Sequence, residues 1–287
     1  SRPAAVAAQE GPRQPAARPL RATAGSLDLR LRRPPSAASR GVMNTMDSDA
    51  RSFVGSNRYV KDAEVEVRRG FVKKVYGILT AQLLLTVAIA APLSQAKSFV
   101  RHNTWLLGLS VAMTLVTICA MTCCKDATRK YPQNYLCLFG FTCFEAVLVG
   151  FASAQYTWQS VVFAAAVTVL IFACMTVFAW KTTTDFTGFA PYLFAALCAL
   201  SCFGFSLMIL SLCGVYIAWV AQLYNLIGIV LFTFYIVFDT QMILGEWGGH
   251  KIQFGVDDYV FAALNLYLDI VQLFIYLLRM FGERERR

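Results

Sequence analysis

Tyr259-Val260-Phe261-Ala262-Ala263-Leu264-Asn265-Leu266-Tyr267-Leu268-Asp269-Ile270-Val271-Gln272-Leu273-Phe274-Ile275-Tyr276-Leu277-Leu278-Arg279 is the stretch that decides the fold. It is close to the ~20 mostly apolar residues that a helix needs to cross a ~30 Å hydrocarbon layer. Asn265, Asp269, Gln272, Tyr276 and Arg279 follow at i, i+4, i+7, i+11 and i+14, which puts all five on one helix face. The remaining faces are Leu, Ile, Val and Phe. A polar stripe with a carboxylate at bilayer depth is costly in lipid, so it faces other helices or a water-filled cavity. The plainer reading of Asn265 and Gln272 is an interhelical hydrogen-bond seam.

Six more apolar segments precede this one, at about 75–94, 105–122, 135–153, 160–180, 189–212 and 215–238. They are too long for strands and lack period-2 alternation. The chain of 287 residues is 57% hydrophobic and 15% charged, with a mean hydropathy of +0.53. Those figures exclude a soluble enzyme, a disulfide-rich module and a coiled coil. The expected class is an all-α integral membrane protein. Trp105, Trp158, Trp180 and Trp219 lie near span ends, as an aromatic belt requires. Two connections, Gln155–Trp158 and Leu212–Gly214, are short enough to predict antiparallel hairpins on either side.

Arg68, Arg69, Lys73 and Lys74 precede the first span, and Lys125, Arg129 and Lys130 lie between the second and third. The bias of Lys and Arg toward cytoplasmic loops then puts the N-terminus in the cytosol. Arg279, Arg284, Arg286 and Arg287 make the C-terminal tail basic as well. Seven full crossings put that tail on the opposite side, so either the last segment stops short or the tail departs from the rule.

The net charge of +9 is concentrated. Residues 1–42 hold eight Arg against Glu10 and Asp28, a net of +6, which leaves +3 for the rest. A nucleic-acid partner is not implied. Residues 1–68 read as a disordered polar region, without enough apolar surface to fold. For 1–42 three readings stand: a transit peptide, leader sequence ahead of a start at Met43, or a disordered tail. The nine cysteines form no CxxC pair or zinc spacing and read as small apolar packing residues. Cys123 and Cys124, at a helix end beside Lys125, are candidates for lipidation.

Three carboxylates fall in or at the edge of apolar runs: Glu145, Asp239 and Asp269. Glu145, with Thr142 one turn back, reads either as a capped structural residue or as part of an ion path. Asp239, in Phe238-Asp239-Thr240-Gln241, reads alone as a solvated helix end. Paired with Asp269 it reads differently, because two carboxylates in low dielectric cannot both ionise cheaply and share one proton. Such a pair can sense pH, bind Ca²⁺ through its oxygens, or do aspartyl chemistry. An ion leak and an intramembrane aspartyl protease are therefore rivals, with a non-transporting scaffold for other membrane proteins as a third. The protease layout also has one Asp on the sixth span and one on the seventh. Its glycine-containing approach is missing, since Leu266-Tyr267-Leu268 precede Asp269, and no Pro follows Pro191.

Tyr259 through Asp269-Ile270 and on to Leu277-Leu278-Arg279 resembles the C-terminal signature of the Bax inhibitor (TMBIM) family. Phe238-Asp239-Thr240-Gln241 resembles that family's sixth-span motif. Thr184-Asp185-Phe186-Thr187 resembles its loop between spans four and five, and Tyr131-Pro132-Gln133-Asn134 its third-span entry. The four stand in order over about 68–287, and the entry motif looks closest to the lifeguard branch. The resemblance implies a Bax-inhibitor-type domain over 69–287, a seven-helix bundle whose C-terminal helix is central and wrapped by two three-helix layers. It implies a pH-sensitive Ca²⁺ leak across an internal membrane, endoplasmic reticulum or Golgi, linked to resistance to cell death. Asp239 and Asp269 match the proton and calcium sensor, with Glu145, Asn265 and Gln272 as support along the path. No resident cofactor and no catalysis are expected; Ca²⁺ and protons are cargo or signal. Lipid and Bcl-2-type or calcium-channel membrane proteins are the expected partners. Bacterial members carry an Arg at the end of span two that latches an aspartate; here Lys125 or Arg129 is the substitute.

Overall fold

The computed structural model describes residues 37–123, 132–245, 254–255 and 257–284, without the side chains of 37–65, 122 and 123. The chain divides into Ser1–Gly55 and Ser56–Arg287. In the first unit the described residues, 37–55, are helical backbone. Helix α1, Ala37–Gln95, therefore starts well before the apolar run at 75. Its membrane-crossing part begins at Glu66.

The second unit holds seven helical segments long and apolar enough to span a membrane: Glu66–Gln95, Thr104–Met121, Gln133–Ser153, Trp158–Lys181, Thr187–Leu212, Ala218–Leu244 and Tyr259–Phe281. In chain order the helices after α1 are α2 (Lys97–His102), α3 (Thr104–Cys123), α4 (Gln133–Ser153), α5 (Trp158–Lys181), α6 (Ala190–Leu212), α7 (Ala218–Leu244) and α8 (Tyr259–Phe281). A short 3₁₀ turn, Thr187–Phe189, leads into α6. The expected all-α membrane class holds. A second departure is α7, which starts after 215 and runs six residues past 238. Asp239, Thr240 and Gln241 are polar but buried, so they lie inside the helix rather than at a solvated end.

Helix α8 is the hub, with two thirds of its span buried against 6–50% for the others. It packs on α4, α5 and α7, and the Tyr267 hydroxyl meets Thr86 Oγ1 of α1 at 2.8 Å. Only a helix surrounded by protein can leave Leu266, Tyr267 and Leu273 wholly inaccessible. The outer helices show the reverse pattern, with Leu84, Trp105, Val169, Tyr192, Leu212 and Trp219 exposed, as lipid-facing side chains are. Of the two expected hairpins, α6 and α7 do pack together. Helices α4 and α5 separate after their turn: α4 lies on α3 and α8, and α5 on α7 and α8. The central helix draws each to itself and overrides the short connection.

Backbone approach is closest where α7 crosses α8. A Cβ on Gly228 lies 2.6 Å from the Tyr276 ring, which stacks on Phe232 at 5.7 Å and meets Tyr224 at 5.5 Å. Gly228→Ala is thus overpacked, with an expected loss of about 1–3 kcal/mol. A lowered midpoint in the thermal unfolding of detergent-solubilised protein is the measurement; an unchanged midpoint contradicts this packing.

The two ends of the bundle are distinct. Arg68 of α1, the end of α7 and the start of α8 gather at one. At the other, Tyr156 bridges to Arg284, and Thr157 N donates to Glu283 O at 3.0 Å. The tail thus lies with the α4–α5 turn, at the far end from Arg68. The last segment, Tyr259–Phe281, is long and apolar enough to cross in full.

Candidate functional site

Asp239 and Asp269 are brought together. They are 4% and 5% exposed, and their carboxyl groups are in hydrogen-bonding contact. Antiparallel packing of α7 on α8 makes the contact, ten residues into α8 and five before the end of α7. Asp269 Oδ2 has no hydrogen-bond partner. Tyr235, one turn before Asp239, carries a titratable hydroxyl close enough to feel the charge of both. A carboxyl pair in contact inside a membrane span can hold one proton between its oxygens, because a second full charge there has no solvent to stabilise it.

The polar stripe on α8 is only partly enclosed. Asp269 and Tyr276 are buried, Gln272 is half-buried, and Asn265 and Arg279 are exposed. The reasoning that a stripe must turn inward holds for the carboxylate and fails for Asn265. An amide one turn from the pair tolerates exposure that a carboxylate does not.

Glu145 is buried, at 7% exposure, but belongs to a separate cluster near Tyr267. Thr142 is not its partner. It donates to Leu138 O at 2.8 Å and accepts from Gln82 Nε2 at 3.1 Å. Gln82, wholly buried, leaves Oε1 without a partner. Lys125, Arg129 and Cys124 lie outside the described residues, as does the side chain of Cys123.

Three contacts that the sequence did not suggest build the wall of the site. Arg68, 7% exposed, donates to three carbonyls: Nη2 to Met242 at 2.8 Å, Nη1 to Phe254 at 2.8 Å and Nε to Leu244 at 3.3 Å. Two of these are last-turn acceptors of α7, which have no partner within the helix. Gln241 Nε2 donates to Thr184 O at 2.9 Å, and Phe186 N donates to Gln241 Oε1 at 2.8 Å. Asn134 Nδ2 donates to the Tyr259 hydroxyl at 3.0 Å, and Lys74 Nζ sits 3.3 Å from that ring's centre. Residues scattered from 68 to 259 thus tie together one end of the bundle. Asn134, Thr184, Phe186, Gln241 and Tyr259 lie in the four motifs quoted from the sequence, but the motifs did not say which touch, and Arg68 and Lys74 lie in none of them.

Fold and site together define a multi-pass α-helical membrane protein with a carboxyl pair clasped between its last two spans. A family model described as "Inhibitor of apoptosis-promoting Bax1" matches residues 68–286. The chain is 31% identical over 242 residues to protein lifeguard 3 of Homo sapiens, covering 81% of this chain and 76% of that protein. It is 32% identical to the Mus musculus counterpart, over 77% of this chain and 71% of that one. It is 31% identical to LIFEGUARD 4 of Arabidopsis thaliana, over 77% and 87%. The chain belongs to the Bax inhibitor family, with lifeguard proteins among its relatives.

Proposed function

We propose that this protein is a pH-gated Ca²⁺ leak of an internal membrane, endoplasmic reticulum or Golgi, that restrains cell death, with Asp239 and Asp269 as its sensor. The observation that carries the reading is the contact between two buried carboxyls on adjacent spans. With one shared proton, a short O–H···O⁻ bond ties α7 to α8. Loss of that proton leaves two like charges, whose repulsion is about 4 kcal/mol at ~4 Å and an effective ε of ~20. That repulsion parts the helices, and the same oxygens suit a hard divalent cation.

The donor set favours passage over storage. Ca²⁺ takes six to eight oxygens in a stable site. Among the described residues no group of three or more His, Cys, Asp or Glu is gathered. Asp269 Oδ2, buried and without a partner, is the acceptor such an ion would meet first. The protease reading asks for a backbone approach before Asp269. Leu266 and Tyr267 there are wholly buried, which supports a leak over peptide cleavage and a protein without catalysis. The membrane family described as inhibiting apoptosis-promoting Bax1 supports the link to cell death. The end carrying Arg68, Arg69, Lys73 and Lys74 faces the cytosol on this reading.

Ca²⁺ efflux from proteoliposomes containing the full chain tests the proposal. Efflux rises from acid to neutral pH. Efflux equal to that of protein-free vesicles, or greatest at acid pH, overturns it.

A further inference from the structure

At the end of the bundle away from the aspartates, four cations from three separate segments converge. Lys97 and Arg101 of α2, Arg279 at the end of α8 and Arg284 of the tail line one open cavity of about 970 Å³. Its described lining holds no carboxylate. The guanidinium groups of Arg101, Arg279 and Arg284, gathered in a partly apolar cleft, repel each other, so the arrangement favours an anion.

The convergence is built by the backbone. Arg284 is placed by the tail's pairing with the α4–α5 turn: Thr157 N donates to Glu283 O, and Glu283 N donates to Ser160 Oγ, both at 3.0 Å. Arg101 and Lys97 are placed by a separate six-residue helix between the first two spans. The rest of the wall is mostly apolar and includes Leu107 and Phe151. Those two lie one turn inside the end of α3 and at the last turn of α4, where the spans enter the hydrocarbon. Trp105 and Trp158, exposed at the same ends, are the side chains that settle at a membrane–water boundary.

We infer that this cleft binds the phosphate headgroup of an anionic phospholipid, with the glycerol and the first acyl carbons against Leu107 and Phe151. Planar guanidinium groups donate two parallel bonds to a phosphate, and Arg101, Arg279 and Arg284 offer three such forks. A zwitterionic headgroup brings its own cation into the cluster and loses that advantage. The inference stands apart from the leak reading, since it concerns the opposite end of the bundle and its readout is binding.

Native mass spectrometry of the full chain, released from micelles with equal dioleoyl-phosphatidylglycerol and dioleoyl-phosphatidylcholine, tests it. Phosphatidylglycerol is retained about fivefold or more over phosphatidylcholine, as several surface cations acting together provide. Arg101→Gln with Arg284→Gln brings the ratio near one. Arg101→Lys with Arg284→Lys keeps most of the preference. Lys181→Gln, on α5 at the other end, leaves it unchanged. Equal retention of the two lipids by the wild type overturns the site. So does an equal loss in Lys181→Gln. Displacement of phosphatidylglycerol by millimolar inorganic phosphate overturns the lipid assignment and makes the ligand a soluble oxyanion.

Discussion

Asp269→Asn lowers Ca²⁺ efflux at neutral pH by about tenfold and removes its pH response. An asparagine amide donates to the remaining carboxylate much as the shared proton does, so α7 and α8 stay tied at every pH. A hydrogen bond to a charged group contributes about 1.5–3 kcal/mol, and a bias of ~1.4 kcal/mol toward the closed state already lowers the open population tenfold. Asp239→Asn has the same effect, because the amide and carboxylate merely exchange sides. The sign follows from charge. The variant pair never holds more than one negative charge at any pH, so the repulsion that opens the wild type never develops. Titratable groups elsewhere do not substitute: Tyr235 faces the pair, and Glu145 faces Tyr267 in another cluster. Efflux that keeps its pH dependence in both variants removes the pair as sensor. Efflux that rises in either shows that the carboxyl contact does not hold the helices closed.

The largest loss of stability is expected at Arg68. Arg68→Ala leaves the carbonyls of Met242, Leu244 and Phe254 without the donor they share. It also removes the cation lying 4.6 Å from the Phe71 ring centre. Charge-assisted bonds contribute about 1.5–3 kcal/mol each and do not add fully, so a loss of about 3–5 kcal/mol is expected. Arg68→Lys recovers little, because one ammonium cannot span three acceptors. The readout is the fraction of solubilised protein that stays monodisperse on heating. An alanine variant as robust as the wild type contradicts the clasp.

Much of the architecture is legible in the residues. Seven long apolar runs follow from composition, and the inward face of α8 follows from one carboxylate at helical spacing with two neutral partners. The aspartate pair is legible only through resemblance, since nothing in the spacing of 239 and 269 says that they touch. The misses share a cause. Asp239-Thr240-Gln241 read as a span edge because hydropathy scores a polar triplet without knowing that it is buried. Arg68 read as an orientation signal because a charge count cannot see carbonyls 174 and more residues away. The Gln155–Trp158 turn read as a hairpin because local length says nothing of a third helix competing for both neighbours. Asn265 read as buried because helical phase gives direction on α8 but not how far the surrounding helices reach.

If the leak proposed above opens by parting α7 from α8, the contact between Gly228 and the Tyr276 ring is its fulcrum. Eleven residues of helix separate Gly228 from Asp239, a lever arm of about 16 Å at 1.5 Å per residue. A tilt of α7 by about 6° on that pivot carries Asp239 roughly 1.7 Å from Asp269 at this rise, enough to break a hydrogen bond. The far arm, toward Tyr224, is four residues long and hardly moves. Because Arg68 grips the last turn of α7, the working end of the lever swings with α1 attached. On the proposed reading, the aspartate pair can thus part while the ring contacts of Tyr224, Phe232 and Tyr276 hold around the pivot.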